Sequence, residues 1–343
     1  MLTSVDIVLS ACFVLLLITG LVGNILVLMV ILLNRSMHTP MNYLLLNLAV
    51  ADIITVVFTS PQYIFIHAFT HPTGDAGDFL CKFITGGNIS WIGGVASVFS
   101  LTAISFERYQ AVTNPFNQMS KFSVSKVKVT AVCCWIFTAL FNLPLFFAIY
   151  YDEDKEFCLE SWPTQVYGIV NSAAWLLFVG ILPTAIMIYL YSRVVYDLWF
   201  KKVSGVTQTA VRKSRKKVTK VVLTVSAIYA ISWFPQLILY LLSNCLETFE
   251  FGGVAYIASV VMVSFNSVVN PVVYSFQSER FRRHFKQLLC HRRRREVVPA
   301  DARKISANNE TRLDIYMTET TTNAEMTRAI ISKHLCDLEV TNC

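Results

Sequence analysis

Seven long stretches of this chain contain no charged residue. A helix that crosses the hydrocarbon core of a bilayer needs about 20 apolar residues, and each stretch is long enough. Within lipid, only helices and closed barrels satisfy their backbone groups, and a barrel would show short segments of alternating polarity. The sequence therefore predicts an all-α membrane protein, a bundle of seven transmembrane helices. The stretches are residues 7–34, 53–74, 83–106, 129–151, 161–192, 221–246 and 251–278.

The composition excludes the other broad classes of protein. Of the 343 residues, 55% are hydrophobic and 15% are charged, whereas soluble domains carry about 25% charged residues. A soluble globular fold, a disordered chain and a nucleic-acid-binding protein are therefore excluded, despite the net charge of +7. Residues 1–6 lack the basic residues of a cleavable signal peptide, so we expect the first apolar stretch to remain as a membrane helix.

The basic residues orient the predicted bundle. With the N-terminus outside, Lys82 and Lys155 are the two of 29 lysines and arginines on the outer side, where ten of the 22 acidic residues also lie. Cytoplasmic loops are enriched in lysine and arginine. We therefore expect a multi-pass plasma membrane protein with an extracellular N-terminus and a cytoplasmic C-terminus.

The predicted chain has four parts. Phe281, Phe285 and Leu289 repeat at helical spacing opposite basic residues, which is typical of a helix at the membrane surface. The basic run that follows, residues 291–295, would lie beside anionic lipid, which makes membrane lipid a predicted partner. The later tail is polar and without periodicity, and we expect it to be disordered. The parts are a short extracellular N-terminus (1–6), the transmembrane domain (7–276), the amphipathic helix (277–290) and the cytoplasmic tail (291–343).

Short motifs fall in nearly every predicted helix. In their order they resemble the motifs of rhodopsin-like (class A) G-protein-coupled receptors, over about residues 5–290, and the chain is most similar to neuropeptide receptors of the neuropeptide FF, tachykinin and galanin type. The resemblance implies a receptor, not an enzyme, that activates a heterotrimeric G protein. The motifs are Gly23-Asn24, the segment from Asn47 to Asp52, Glu107-Arg108-Tyr109, Trp135, Trp233-Phe234-Pro235 and the segment from Asn266 to Tyr274.

The resemblance implies an activation switch. Glu107 would hold Arg108 at rest, and activation would free the arginine to meet the G protein. Pro235 and Pro271 would bend their helices, because an interior proline removes a backbone hydrogen bond. The alternative for Glu107 and Arg108 is an ordinary charge pair at the membrane edge. The full set is Glu107, Arg108, Tyr191, Trp233, Pro235, Asn270, Pro271 and Tyr274.

Asp52 lies well inside an apolar stretch, where a carboxylate needs polar partners. In many members of the family such a cluster binds an allosteric sodium ion, which hard oxygen ligands would hold. The alternative is a water-filled network without an ion, and no other cofactor is expected. By resemblance, the surrounding residues are Asn24, Ser97, Trp233, Asn266, Ser267 and Asn270.

Two cysteines match the disulfide of the family, Cys81 at the top of the third helix and Cys158 in the second outer loop. Cys290 ends the amphipathic segment, where palmitoylation and a plain reduced thiol are both compatible with the sequence. Threonines 318 and 320–322 flank Glu319 in the tail. Phosphorylation there by a receptor kinase would add negative charge that favours arrestin.

The charge pattern limits the class of ligand. The third helix has no acidic residue between Lys82 and Glu107, which argues against a biogenic amine as the ligand. Residues 251–278 contain no lysine that could form a Schiff base with retinal. The loop Tyr150–Trp162 holds five acidic residues and one lysine, and this charge would attract a cationic ligand. We therefore expect a short basic neuropeptide. The alternatives are a lipid or small-molecule ligand or, less favoured, a channel or transporter.

The ligand pocket is expected in the outer half of the bundle. Two extra residues separate Cys81 from Arg108, and we place them near Gly86-Gly87. The candidate pocket residues are Gln62, Tyr63, Asn88, Trp91, Trp175, Gln236 and Tyr240.

Overall fold

A computed structural model describes residues 4–64, 69–114, 122–200, 206–246, 248–277 and 281–285. This part of the chain has seven helices that are long and apolar enough to cross a membrane. The predicted all-α fold is therefore confirmed. The helices are α1 (Ser4–Leu33), α2 (Pro40–Tyr63), α3 (Gly74–Thr113), α4 (Val124–Ala148), α5 (Gln165–Phe200), α6 (Val206–Cys245) and α7 (Val254–Gln277).

Several helices extend beyond the charge-free stretches. Helix α1 begins at Ser4, so residues 4–6 of the predicted extracellular segment are helical. Helix α6 begins at Val206, well before residue 221, and carries basic residues such as Lys213 and Lys216. A charge-free stretch therefore locates a helix but not its ends, since α2 spans Pro40–Tyr63 whereas the corresponding stretch is residues 53–74.

Local side-chain contacts define two helix starts. The Thr39 hydroxyl accepts a hydrogen bond from the Asn42 amide (3.3 Å), and Ser123 accepts one from the Lys126 amide (3.2 Å). A hydroxyl at this position satisfies an amide that the first turn leaves without an internal partner. Pro40 takes the first position of α2, where its missing N–H costs nothing.

Helix α3 is irregular near its beginning. A π-helical turn spans Cys81–Thr85, and the regular helix resumes at Asn88 after two glycines. Gly87 has a φ of +76°, and a Cβ there would lie 2.4 Å from the Gln62 side-chain oxygen, so both conformation and space require glycine. The extra residues predicted near Gly86-Gly87 correspond to this turn and break.

Helix α5 contains a second π-helical turn, Leu176–Ile181, just before Pro183. The proline lacks the N–H that would bond the carbonyl of Val179, four residues earlier. The hydroxyl of Tyr229, a fully buried residue of α6, donates to that carbonyl instead. Tyr229 therefore joins α6 to α5 at the point where the proline frees an acceptor.

Polar side chains of neighbouring helices meet inside the bundle. Trp135 of α4 donates its indole N–H to Asn47 Oδ1 of α2 (3.0 Å), and the Asn47 amide donates to Ser100 Oγ of α3 (2.8 Å). Large apolar residues such as Leu140 and Ile188 occupy the exposed surface. Lipid offers no hydrogen bonds, so this arrangement places each type of side chain where its free energy is lowest.

A β-hairpin connects α4 to α5. Strand β1 (Ile149–Asp152) pairs antiparallel with β2 (Phe157–Glu160), and the disulfide Cys81–Cys158 joins β2 to the π-helical turn of α3. This segment was predicted to be a loop, because strands of four residues show too little alternation to be recognised. We call the end of the bundle that carries the disulfide the disulfide end, and the opposite one the Arg108 end.

Gly93 marks a close approach of α3 to α2. A Cβ at this position would lie 2.8 Å from the Ala51 carbonyl oxygen and 2.9 Å from the Thr55 amide nitrogen. Because both contacts are backbone, Gly93→Ala has to push the helices apart. Overpacking costs about 1–3 kcal/mol, and we expect the melting temperature of the purified protein to fall by roughly 3–10 °C.

The control for this packing prediction is Ala139→Leu, which enlarges an exposed residue of α4. Surface substitutions of this kind change the free energy of unfolding by less than about 0.5 kcal/mol. Equal melting temperatures for Gly93→Ala and the unmodified protein would contradict the proposed contact.

Candidate ligand-binding and activation sites

A small cavity lies among the helices toward the disulfide end. Its volume is about 20 Å³, which is room for about one water molecule. Four predicted pocket residues line it: Trp91, Trp175, Gln236 and Tyr240. The full lining is Trp91, Leu145, Glu160, Trp175, Trp233, Gln236, Leu237, Tyr240 and Tyr256. We call this space the deep cavity.

Three tryptophans form one wall of the deep cavity. The Trp91 ring packs edge-on against Trp175 (5.7 Å between centroids) and Trp233 (6.3 Å), a favourable arrangement for aromatic pairs. The indole N–H groups of Trp175 and Trp233 are buried and have no hydrogen-bond partner among the described residues. A buried donor without a partner costs about 1–3 kcal/mol. Both groups can therefore gain from an acceptor on a bound molecule.

Glu160, at the end of β2, also lines the deep cavity. Its Oε2 accepts hydrogen bonds from the Tyr240 hydroxyl (2.8 Å) and the Trp162 indole (2.9 Å). Burial of the carboxyl group raises its pKa from 4.5 to about 7, although the two hydrogen bonds oppose the shift. The residue is therefore an acid that titrates near neutral pH beside the aromatic wall.

Glu160 was not among the predicted pocket residues and was counted with the other acids of the loop. A usable signal was present, since Glu160 follows the disulfide cysteine Cys158 by two positions. Residues two apart in a strand point to the same face. Cys158 points toward α3, to which it is bonded. Glu160 lies on the same face of the strand and therefore also points toward the helices.

A second, wider cavity of about 1020 Å³ lies at the disulfide end. Gln62 and Tyr63 line it, in agreement with the predicted pocket. Acidic residues of two loops also line it, and Lys155 Nζ reaches one of them, Glu250, at 2.5 Å. The acids are Glu153, Glu156 and Glu250. We call this space the vestibule.

Asn88, the seventh predicted pocket residue, holds the break in α3 together instead. Its side-chain amide donates to the Lys82 carbonyl (3.0 Å). Asn88 is the first residue of the regular part of α3, so its amide bonds back across the break and lines neither the deep cavity nor the vestibule.

The predicted disulfide is present, with both cysteines buried and a Cα–Cα distance of 5.7 Å. The imidazole of His71 lies beside it, stacked on Tyr151 (3.9 Å) and 2.9 Å from the Thr85 hydroxyl. Because the two sulfurs are bonded to each other, they are not thiolate ligands for a metal. The cluster therefore fixes the hairpin on α3.

Asp52 is fully buried in α2 and is surrounded by polar groups. Ser97 Oγ donates to one carboxylate oxygen (2.9 Å) and Asn270 Nδ2 to the other (2.7 Å), and the Ser267 side chain also hydrogen-bonds the group. Asn24 instead donates to the backbone carbonyls of Gly20 and Ser267 (3.0 Å each), so it joins α1 to α7.

Two further predicted members of this network stand apart. Among the described residues, no hydrogen bond links Asn266 or Trp233 to Asp52, and Trp233 belongs to the deep cavity. The groups around Asp52 nevertheless suit a sodium ion, since they offer a carboxylate, two hydroxyls and the Asn270 amide oxygen. That oxygen is buried and has no partner in the described part of the chain. Hard cations prefer such oxygen ligands.

Three of the predicted activation residues, Glu107, Arg108 and Tyr191, lie toward the Arg108 end, whereas Trp233 lines the deep cavity and Asn270 lies beside Asp52. Arg108 pairs with Glu107 on the same helix. On α5, the buried Tyr191 hydroxyl lies 3.4 Å from Ser226 Oγ of α6, and it is within electrostatic range of Arg108. Both prolines lie inside helices as predicted, Pro235 in α6 and Pro271 in α7. The Tyr274 side chain and Cys290 are outside the described residues.

Comparisons with known proteins agree with this arrangement. Residues 23–274 match the family described as 7 transmembrane receptor (rhodopsin family). The allatostatin-A receptor of Bombyx mori is 30% identical over 280 residues, which cover 79% of this chain and 76% of that receptor. The pyroglutamylated RF-amide peptide receptor of Rattus norvegicus is 24% identical over 295 residues (79% and 67%). The galanin receptor type 1 of Mus musculus is 28% identical over 310 residues (86% and 84%).

The family match covers more than half of the chain and includes all seven helices at least in part. The disulfide, the Asp52 cluster and the Glu107–Arg108 pair lie at the positions that the family resemblance gave them. The chain is therefore a multi-pass membrane receptor and belongs to the rhodopsin family of seven-transmembrane receptors.

Proposed function

We propose that this receptor binds a short basic peptide at the cell surface and activates heterotrimeric G proteins. The observation that carries the proposal is the vestibule, whose 1020 Å³ reach the upper end of the range for drug-sized ligands, about 300–1,000 Å³. Three carboxylates line it beside a single lysine. The peptide receptors among its relatives support the same class of ligand.

The orientation of the receptor in the membrane is part of the proposal. The disulfide favours an extracellular position for its end of the bundle, because disulfides persist in oxidising compartments. Helix α1 begins at this end, since Ser10 donates to the Tyr63 carbonyl at the end of α2. The opposite end carries the basic residues that cytoplasmic segments favour. They include Arg193, Arg212, Lys213, Arg215, Lys216, Lys217 and Lys220.

Activation is a shift between two arrangements of the helices. An agonist that binds the active arrangement more tightly raises its population. At the Arg108 end, the resting arrangement is held by the Glu107–Arg108 pair and by the Ser226–Tyr191 hydrogen bond (3.4 Å) between α5 and α6. Release of Arg108 would provide a cation for the G protein, in line with the family resemblance.

The partners expected at the C-terminal tail stay predictions. Receptor kinase, arrestin and membrane lipid were assigned to residues 277–343, of which the structure describes residue 277 and residues 281–285. The same holds for palmitoylation of Cys290.

The ligand class is tested with a panel of short, C-terminally amidated peptides that contain arginine or lysine. Cells that express the receptor with a promiscuous G protein should give a calcium signal, and replacement of arginine by uncharged citrulline should lower the potency by about tenfold or more. Silence of the whole panel, with surface expression confirmed, would contradict the peptide proposal and favour a lipid or small-molecule ligand.

The role of charge on the receptor is tested with a triple variant of the hairpin tip: Glu153→Gln, Asp154→Asn and Glu156→Gln. Asp152 is left unchanged because its carboxylate accepts a hydrogen bond from the Lys155 amide (2.9 Å) and so stabilises the turn. The variant should slow association of the charged peptide, mainly at low ionic strength. Asp197→Asn at the Arg108 end should leave association unchanged.

The switch assigned to Arg108 is tested by Arg108→Ala. We expect agonist-stimulated nucleotide exchange on the G protein to fall by about tenfold or more, with agonist affinity in the absence of G protein largely preserved. Arg193→Ala removes an exposed cation of α5 and serves as the control. Full exchange activity in Arg108→Ala would refute this role.

The sodium site is tested through agonist affinity. If Asp52, Ser97, Ser267 and Asn270 hold an ion in the resting arrangement, replacement of sodium by N-methylglucamine should raise the affinity several-fold, by about 1 kcal/mol. Asp52→Asn should abolish this dependence, whereas Ser90→Ala, which removes a buried hydroxyl bonded to Thr59, should retain it. Affinity that is independent of sodium in the unmodified receptor would favour the water-filled network.

A further inference from the structure

We infer that Glu160 forms a subsite inside the deep cavity for a cationic N–H group of the ligand, an ammonium or a guanidinium. The subsite rests on the proposed function for the source of this cation, a basic peptide. Its own definition comes from the side chains around Glu160.

The hydrogen bonds of Glu160 leave one oxygen open. Tyr240 and Trp162 both donate to Oε2, and no described residue donates to Oε1. A carboxylate oxygen accepts about two hydrogen bonds. A guanidinium that binds both oxygens of a carboxylate needs a free acceptor site on each of them. Because Tyr240 and Trp162 already occupy Oε2, a cation can bind only Oε1, through a single N–H group. An ammonium, or one amino group of a guanidinium, satisfies that geometry.

The surrounding wall suits a cation that is attached to a carbonyl group. Aromatic rings of Trp91, Trp175, Trp233, Tyr240 and Tyr256 line the same cavity, and such rings attract cations through their faces. The buried indole N–H groups of Trp175 and Trp233 have no acceptor among the described residues. A peptide provides both a cation for the carboxylate and an acceptor for the indole N–H groups, since the residue that carries a basic side chain or the N-terminal amine also carries a carbonyl oxygen.

Glu160 differs from the acids of the vestibule in its surroundings. Glu153 and Glu156 are exposed, and Glu250 is already paired with Lys155. Exposed pairs contribute little to affinity because water and salt screen them, whereas a carboxylate among aromatic rings is screened less. The vestibule acids therefore act mainly on the rate of association, and Glu160 acts on the affinity.

The protonation state of Glu160 provides an independent readout. Burial raises its pKa to about 7, and no basic side chain of the described residues adds a charge that opposes the shift. The titratable groups that face it are the phenols of Tyr240 on α6 and Tyr256 on α7. The carboxyl group is neutral below pH 7 and anionic above it, so binding of a cation should strengthen as the pH rises through about 7.

The test uses small cations in place of the unidentified peptide. Thermal unfolding of the purified full-length receptor is measured with propylammonium or ethylguanidinium chloride at about 50 mM. Tetramethylammonium chloride is the control, since it has the same charge and no N–H. At about pH 8.5 we expect the N–H cations to raise the melting temperature by about 2 °C or more above the control. At about pH 5.5 this difference should disappear.

The cations are compared at fixed pH because Glu160 also affects the ligand-free receptor. Its pKa in the folded protein lies above the ordinary value of 4.5. The stability that it contributes is therefore present below pH 4.5 and is lost as the pH rises through about 7. This baseline change is the same for all three salts, and it cancels in the comparison.

Two variants locate the effect. Glu160→Gln keeps an acceptor for Tyr240 and Trp162 but removes the charge, and it should abolish the difference between N–H cations and tetramethylammonium. Asp197→Asn, which removes an acid at the Arg108 end, should retain the difference. An equal stabilisation of Glu160→Gln, or no difference in the unmodified receptor at pH 8.5, would overturn the inference.

The outcome is informative even where Glu160→Gln does not fold, because the pH profile of the unmodified receptor stands alone. A midpoint near pH 7 supports the subsite, and a stabilisation that is constant between pH 5.5 and 8.5 contradicts it. The result is also separate from the proposed function. A silent peptide panel beside an intact cation effect would reject the peptide and keep the subsite, and an active panel without a cation effect would do the reverse.

Discussion

Inside a bilayer, a polar group without a partner costs several kcal/mol, and this constraint orders the whole receptor. It explains why the Tyr229 hydroxyl bonds the carbonyl that Pro183 frees in α5. Against this background, the buried groups without partners at the candidate sites carry information. The indoles of Trp175 and Trp233 lie at the deep cavity, and the amide oxygen of Asn270 lies beside Asp52. Both sites are therefore places where a bound molecule or ion would lower the free energy of the receptor.

The disulfide gives the two parts of the acidic hairpin different surroundings. It fixes β2 on α3 through Cys158, and the alternation of the strand then turns Glu160 toward the helices. The tip of the hairpin, from Glu153 to Glu156, stays exposed at the vestibule. The hairpin thus carries two kinds of acid: exposed carboxylates at its tip, to which we assign steering, and one carboxylate at the end of β2 among aromatic rings, to which we assign affinity. The same five acids in a flexible loop would contribute only the first.

The fold was predictable from sequence because charge-free stretches and charge asymmetry report directly on burial in lipid. Three predicted partners of Asp52 lie beside it, Ser97 on α3 and Ser267 and Asn270 on α7, each in a regular part of its helix. Asn266, also predicted, makes no hydrogen bond with Asp52 among the described residues. Asn88 was expected in the pocket, but it is the first residue after the break in α3 and bonds the Lys82 carbonyl, a local contact that a helical repeat does not predict. Glu160 was missed because its position depends on a hairpin of four-residue strands, whose pairing is decided by tertiary contacts rather than by local pattern.

Helix α6 provides the physical connection between the deep cavity and the Arg108 end. Four of its residues make the relevant contacts at helical spacing, so they lie along one side of the helix: Ser226, Tyr229, Trp233 and Gln236. The deep cavity has room for about one water molecule, so a larger ligand group that reaches Glu160 has to widen the cavity, and Trp233 is one of the side chains that line it. The bend at Pro235 gives α6 a point about which to respond.

The hydrogen bonds along this side of α6 differ in strength, so they differ in the cost of breaking them. The Tyr229 hydroxyl satisfies a carbonyl that has lost its own amide partner, so breaking this bond leaves a buried acceptor unsatisfied. The Ser226–Tyr191 contact, at 3.4 Å, is long and weak. A movement of α6 away from α5 would therefore break the Ser226–Tyr191 contact at a lower cost than the Tyr229 hydrogen bond. A ligand that gains a few kcal/mol more in the active arrangement is sufficient to shift such an equilibrium.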